Sequence, residues 1–148
     1  MSLREYLSHK SYHCIKLKKI ATNHFEIKAK INGKKGKFIL DTGASNSCVG
    51  FDEVEKFNLN PKDSEHKAAG AGEGEIDTQI AKKNSLKIGG FKLKKISLVL
   101  IDLSHINSAL IKQKAKPING IIGADILEKG KAVIDYDKKK LYLLNKNK

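Results

Sequence analysis

A mainly β domain, a barrel or sandwich of short strands with two or three short helices, is what the sequence predicts. Three observations carry this expectation. Apolar residues alternate by two through most of the chain, as they do on strands with one buried face. Asn32-Gly33, Gly89-Gly90 and the glycine-rich run 70–74 fall between alternating stretches, where hairpin turns belong. The resulting strands are short and evenly spaced, as in closed or double-sheet β architectures. At roughly 100–200 residues per domain, a chain of 148 residues is expected to form one domain over 1–148, with its core at about 12–144 and residues 1–10 as a flexible arm.

The elements follow in order. Residues 12–20 and 24–31 alternate as strands around the turn Ala21-Thr22-Asn23. Asn32-Gly33 then turns the chain into Lys37-Phe38-Ile39-Leu40. A short helix fits residues 52–57, with acids in its first turn and Pro61 beyond its end. Strands are expected at 65–70 and 75–88 and, after Gly89-Gly90, from Phe91 to Leu103. A helix fits 104–114 with Ser104 as its cap. An apolar segment at 118–123, a helical turn at 125–128 and a hairpin of 131–136 with 140–144 complete the chain.

Composition narrows the function classes. Hydrophobic residues make up 40% but aromatics only 6%, with no Trp, so the core must be aliphatic and an aromatic-lined binding groove is not expected. No apolar run approaches the ~20 residues of a membrane-spanning helix. The start, Met1-Ser2-Leu3-Arg4-Glu5, lacks the apolar stretch of a secretory signal, giving a cytoplasmic expectation for the chain as it stands.

The formal net charge of +13 attracts polyanions. Arg4 is the only arginine, however, so the residue that reads bases and clamps phosphates is almost missing. Most lysines alternate with apolar residues, which reads as solvated strand faces and as protection of exposed strand edges. Neither a specific nucleic-acid partner nor a membrane is expected. Cys14 and Cys48 form no metal or redox spacing and are expected as buried or half-buried free thiols. The five histidines likewise show no ligand spacing, and neither metal nor cofactor is implied.

Asp41-Thr42-Gly43 carries the chemistry. It ends the apolar stretch Phe38-Ile39-Leu40 and precedes Ala44-Ser45. A carboxylate at the end of a buried strand is costly unless hydrogen bonds or a neighbouring charge hold it. Gly43 lets the chain turn sharply and bring backbone N–H groups to that carboxylate, and Thr42 supplies a hydroxyl. Read alone, the tripeptide is equally an ordinary turn. Residues 39–45 also echo 119–125, with the Gly43-Ala44 and Gly123-Ala124 pairs aligned, as in a duplicated half-barrel.

Other chemistries fit poorly. The run 70–74 lacks the Gly-Lys-Ser/Thr of a phosphate loop and carries Glu73 and Glu75. Asp135 and Asp137 read as a turn rather than a metal pair. Ser45 and Ser47 lack a base motif for nucleophilic catalysis.

Taken in order, Asp41-Thr42-Gly43-Ala44-Ser45, the glycine-rich segment Gly70-Ala71-Gly72-Glu73-Gly74 and Ile121-Ile122-Gly123-Ala124-Asp125-Ile126-Leu127 resemble the retropepsin-like aspartic peptidases, specifically their bacterial single-domain members. The resemblance runs from about residue 12 to 144. It implies a retropepsin-like closed β-barrel, half of a pepsin, working as a homodimer and hydrolysing peptide bonds as an aspartic-type endopeptidase. Each chain would supply one catalytic Asp41, and the two carboxylates would share a proton and activate a water, because carboxylates in contact resist ionising together. Thr42 would interlock the two loops, and Gly43, Ala44 and Ser45 would complete the floor. Residues 70–74 would form the flap, and Ile121, Ile122 and Gly123 would support the loop. The partners implied are a peptide or protein substrate and a second copy of the chain.

The chain departs from the retroviral pattern in three places. Ala124 stands where an arginine braces the dimer, Ser45 stands where its acidic partner would be, and 104–116 reads as an insertion. A second reading follows from these departures: a catalytically weak or inactive retropepsin-fold module that dimerises or binds peptide without cutting it.

Overall fold

The computed structural model describes residues 1–63, 68–70, 74–76 and 78–145. Six strands close into a barrel: β3 (Phe25–Ile31), β4 (Lys34–Leu40), β5 (Cys48–Gly50), β9 (Gln79–Ile88), β10 (Phe91–Ile101) and β11 (Gly120–Ile122). Around the barrel the order is β3-β4-β11-β5-β10-β9, and β9 returns to β3 through Lys30 opposite Lys87 and Ile31 opposite Leu86. β2 (Lys18–Lys19) extends the sheet beside β3, and β6 (Pro61–Asp63) extends it beside β9.

A separate three-stranded sheet joins the two ends of the chain, in the order β1 (His13–Lys16), β13 (Lys140–Leu143), β12 (Val133–Asp135). The stretch 12–20 is therefore two strands in different sheets, not one. The break falls at Leu17, which is buried and whose N–H bonds the Lys139 carbonyl at 3.0 Å.

Local rules explain most elements. Asn32 and Gly33 have φ of 52° and 82°, the left-handed pair that a two-residue hairpin turn requires, and they join Ile31 to its cross-strand partner Lys34. The 131–144 hairpin forms as expected, with Val133 opposite Tyr142. α2 spans Ser104–Lys112, but its cap is not Ser104. The Asp102 carboxylate accepts the Ser104 N–H at 2.8 Å, and that bond, with the Ser104 hydroxyl, holds the Asp102 carboxyl below the usual carboxylate range. The helix expected at 52–57 shrinks to a 3-10 turn at Phe51–Glu53 followed by turns.

Residues 1–10 are not simply an arm. They form α1 (Leu3–His9), whose Glu5 N–H bonds the Ser2 hydroxyl and whose Leu7 is buried.

The core is aliphatic, as the composition requires, with Phe38, Phe57 and Phe91 as its largest fully buried side chains. A second, smaller cluster lies between the barrel and α2: Ile39, Cys48, Leu103, Leu110, Ile118 and Ile121. β4 thus has Phe38 and Leu40 in the main core and Ile39 in the second cluster. Cys14 is half-buried and Cys48 buried, both as free thiols.

Candidate active site

The loop 41–45 begins where β4 ends. That strand is paired on both edges, antiparallel to β3 and parallel to β11, and its last turn toward the loop is packed on both faces. The Asp41 N–H extends the β4–β11 ladder to the Ile122 carbonyl at 3.0 Å. Asp41 therefore starts from a backbone with little freedom to move.

Beyond the strand the carboxylate is exposed rather than sunk in the core. The Gly43 N–H donates to Asp41 Oδ1 at 2.9 Å, and the Ala44 N–H donates to the Asp41 carbonyl at 3.2 Å, closing a tight turn. Hydrogen bonding, with solvent on the open side, thus meets the cost anticipated for a carboxylate at a strand end. Thr42, Gly43 and Ser45 are also exposed and Ala44 is half-buried. Among the described residues the Thr42 hydroxyl makes no hydrogen bond within the chain.

The support segment lies directly alongside. Ile121 and Ile122 are buried in β11, and the sheet pairs Leu40 with Ile122. The internal echo instead lays Leu40 over Gly120, so sequence likeness and strand register differ by two residues. Gly123 passes so close to the loop that a Cβ there would sit 2.5 Å from the Ala44 carbonyl oxygen, which explains why no side chain occupies that position. The next residue ties the two segments: the Ala124 N–H donates to the Ala44 carbonyl at 2.7 Å.

A second tie escapes sequence reading. Ser47, fully buried, donates from its hydroxyl to Asp125 Oδ1 at 2.7 Å and from its N–H to both carboxylate oxygens at 3.0 Å. The same hydroxyl accepts the Gly123 N–H at 2.8 Å, and Asp125 Oδ1 also accepts the Ile126 N–H at 2.9 Å. Asp125 sits in the first turn of α3 (Ala124–Lys129), where an acid is favourable. That local signal was legible, but its partner lies 78 residues away. Ser47 is thus a strut and not a nucleophile.

The glycine-rich segment forms the arms of a hairpin, β7 (Ala68–Gly70) and β8 (Gly74–Ile76), with Gly70 opposite Gly74. Residues 71–73 of the expected flap lie outside the described residues. Among the described residues no cluster of His, Cys, Asp or Glu could hold a metal ion, and Asp135 instead accepts the Lys138 N–H at a turn.

Cys48 lies behind the loop, between β10 and β11. Burial pushes its thiol up from 9.0 to about 12, helped by the negative charges of Asp125 and Asp41. The raised value favours the neutral thiol in the folded chain. This contribution to stability is fully present below the ordinary thiol range and is lost as pH climbs from about 9 towards 12. Iodoacetamide at pH 8 is therefore expected to modify Cys48 only after denaturation, read by mass spectrometry; rapid labelling of Cys48 in the native chain would contradict the burial.

A six-stranded barrel with Asp-Thr-Gly at one strand end, wedged against an Ile-Ile-Gly strand end, defines the aspartic protease class. The chain belongs to the aspartyl protease family: the family model described as "Aspartyl protease" matches residues 27–126, more than half of its length. Its fold is similar to that of a retropepsin-like aspartic protease from Rickettsia conorii, at TM-score 0.60 and 24% identity, covering 89% of this chain and 90% of that one. It is also similar to the EIAV protease complexed with the inhibitor HBY-793, at TM-score 0.52 and 21% identity over 70% of this chain and 84% of that one. The retroviral protease-like domain of Ddi1 from Leishmania major matches at TM-score 0.52 and 18% identity, over 80% and 86%. An uncharacterized protein in the cobV 5' region of a Sinorhizobium species is 40% identical over 45 residues. That match spans 30% of this chain and about a fifth (19%) of the relative's length. The fold class is accordingly retropepsin-like and mainly β.

Proposed function

We propose that the chain is an aspartic endopeptidase whose active form is a homodimer, with Asp41 of each copy activating one water between them. The observation that carries this reading is the Asp41 loop itself. It holds one carboxylate rigidly from behind, leaves it open in front, and leaves the Thr42 hydroxyl without a partner among the described residues. A lone carboxylate makes a poor acid–base pair; two in contact share a proton, so that one acts as base while the other stays protonated. These 148 residues contain a single Asp-Thr-Gly, which supports taking the second carboxylate from a second copy.

The surface beside Thr42 suits such a copy. Thr42, Leu127, Ala132 and Ile134 line a hollow of about 340 Å³. Next to it β12 is the free edge of its sheet, paired only with β13 and only half-buried. An open strand edge beside a hollow that mixes apolar residues with Glu128 and Lys131 is a ready template for another chain. The backbone bond from Ala124 to the Ala44 carbonyl ties the loop within each copy, at the position where the retroviral pattern has an arginine.

Mixing tests the shared site. At a fixed amount of wild-type chain, a fourfold excess of Asp41→Asn is expected to cut cleavage of an unfolded protein to about a fifth, the share of wild-type chains still meeting a wild-type partner. Unchanged activity in that mixture would show that each chain works alone.

A further inference from the structure

Around the barrel from the Asp41 loop, three neighbouring strands present lysines to one another. Alternation sends Ala29, Ile31, Gly36, Leu86 and Ile88 inward and Lys28, Lys30, Lys35, Lys37 and Lys87 outward. The register then sets Lys28 opposite Lys37, Lys30 opposite Lys35, and Lys30 also opposite Lys87. Like charges directly opposed weaken a sheet. Edge protection does not account for Lys30 and Lys87, which are paired on both sides, Lys30 with Lys35 and Lys87, and Lys87 with Lys30 and Lys92. Among the described residues the one ion pair joins Lys138 to Asp137, so none of the five is neutralised by an acid.

These lysines line a groove of about 840 Å³, completed by Lys56, Lys116 and Pro117. Among the described residues, neither an acidic side chain nor an aromatic ring lines it, and no residue of the Asp41 loop does.

We propose that this groove is an exosite for an extended acidic segment of the protein substrate. The docking stands on the groove alone; only what docking delivers rests on the peptidase reading. Lysine offers compact point charges, and the groove has neither rings for base stacking nor arginine for bidentate phosphate binding. A concave groove also suits a single chain better than a planar lipid surface. An extended peptide sends alternate side chains to one side about 6.6 Å apart, the spacing from Lys28 to Lys30 along β3 and from Lys35 to Lys37 along β4. Acids at alternate positions would meet successive lysine pairs. Lys37 and Asp41 lie four residues apart on one strand and its extension, roughly 13 Å. A docked acidic stretch would thus hold a linked scissile bond near the loop and raise its effective concentration.

The test uses fluorescein-labelled decaglutamate and the full-length Asp41→Asn chain, read by fluorescence anisotropy at low salt. The triple variant Lys28→Gln/Lys30→Gln/Lys87→Gln is expected to weaken binding at least about tenfold, and added salt to weaken it in the parent. The triple Lys16→Gln/Lys138→Gln/Lys139→Gln removes the same charge outside the groove and is expected to change binding less than about twofold. All these lysines except Lys30 are exposed, and thermal melts of both triples check folding. Equal weakening by the two triples, or no binding at all, overturns the proposal. So does tighter binding of a thymidine decanucleotide, or of phosphatidylserine vesicles, through the same groove lysines.

In the active chain, a hexaglutamate tail on a cleaved peptide is expected to lower KM and leave kcat unchanged, and the groove triple to abolish that gain. A tail without effect on a peptide that is cleaved overturns the exosite while leaving the peptidase intact. Groove-dependent decaglutamate binding by a chain that cleaves nothing supports the docking and defeats the peptidase instead.

Discussion

The Asp41→Asn chain is expected to cleave an unfolded protein at least about 1000-fold more slowly than wild type, across acid to neutral pH. General acid–base work by a positioned side chain contributes up to about 10⁴-fold, and an amide can neither take nor give the proton. Folding should survive the change, because Asp41 is exposed and the Asn side-chain oxygen can still accept the Gly43 N–H. An unchanged melting temperature together with lost cleavage would assign the loss to chemistry. Equal cleavage by the two chains would reject Asp41 as a catalytic residue and leave the peptide-binding alternative.

The second large effect is expected from Asp125. Asp125→Ala strips the acceptor from the Ser47 hydroxyl and the Ser47 N–H, both at a fully buried residue. Each unsatisfied buried donor costs about 1–3 kcal/mol, so a destabilisation of about 3 kcal/mol is expected. In a domain of this size that corresponds to a melting temperature lower by roughly 6–12 °C. Activity should fall with it, because Ser47 also holds the Gly123 N–H, and Gly123 and Ala124 fit against Ala44 of the Asp41 loop. Asp125→Asn keeps one carbonyl acceptor and should lose about half as much stability. A neutral Asp125→Ala chain, in melting and in cleavage, would show that the strut is dispensable.

The two predictions separate what each residue does. Asp41 is argued to touch the reacting water, and its replacement should alter rate without altering stability. Asp125 acts through Ser47 and Gly123, so its replacement should move both together.

Much of this was legible in the sequence because it is governed by neighbours along the chain. Alternation marked β3, β9 and β10, and Asn32-Gly33 marked the turn into β4 through its need for positive φ. The ordered set from Asp41 to Asp125 pointed to the family that the match over 27–126 bears out. Where one local rule competed with another, the reading slipped. Ser104 is a good capping residue by type, yet it begins α2 after Leu103 and its N–H is bonded by Asp102. Leu17 continues the alternation of 12–20 and yet marks the jump between two sheets.

By itself, then, the sequence determined a β domain carrying one Asp-Thr-Gly, since turn chemistry, period-two burial and motif order are written within a few residues of one another. The tertiary structure alone decided that Ser47 meets Asp125, that Gly123 passes against Ala44, and that Lys30 faces both Lys35 and Lys87. Those pairings follow from strand register and barrel closure. Closure brings together residues up to about 80 positions apart, and which of them meet depends on how the whole core packs rather than on any one segment.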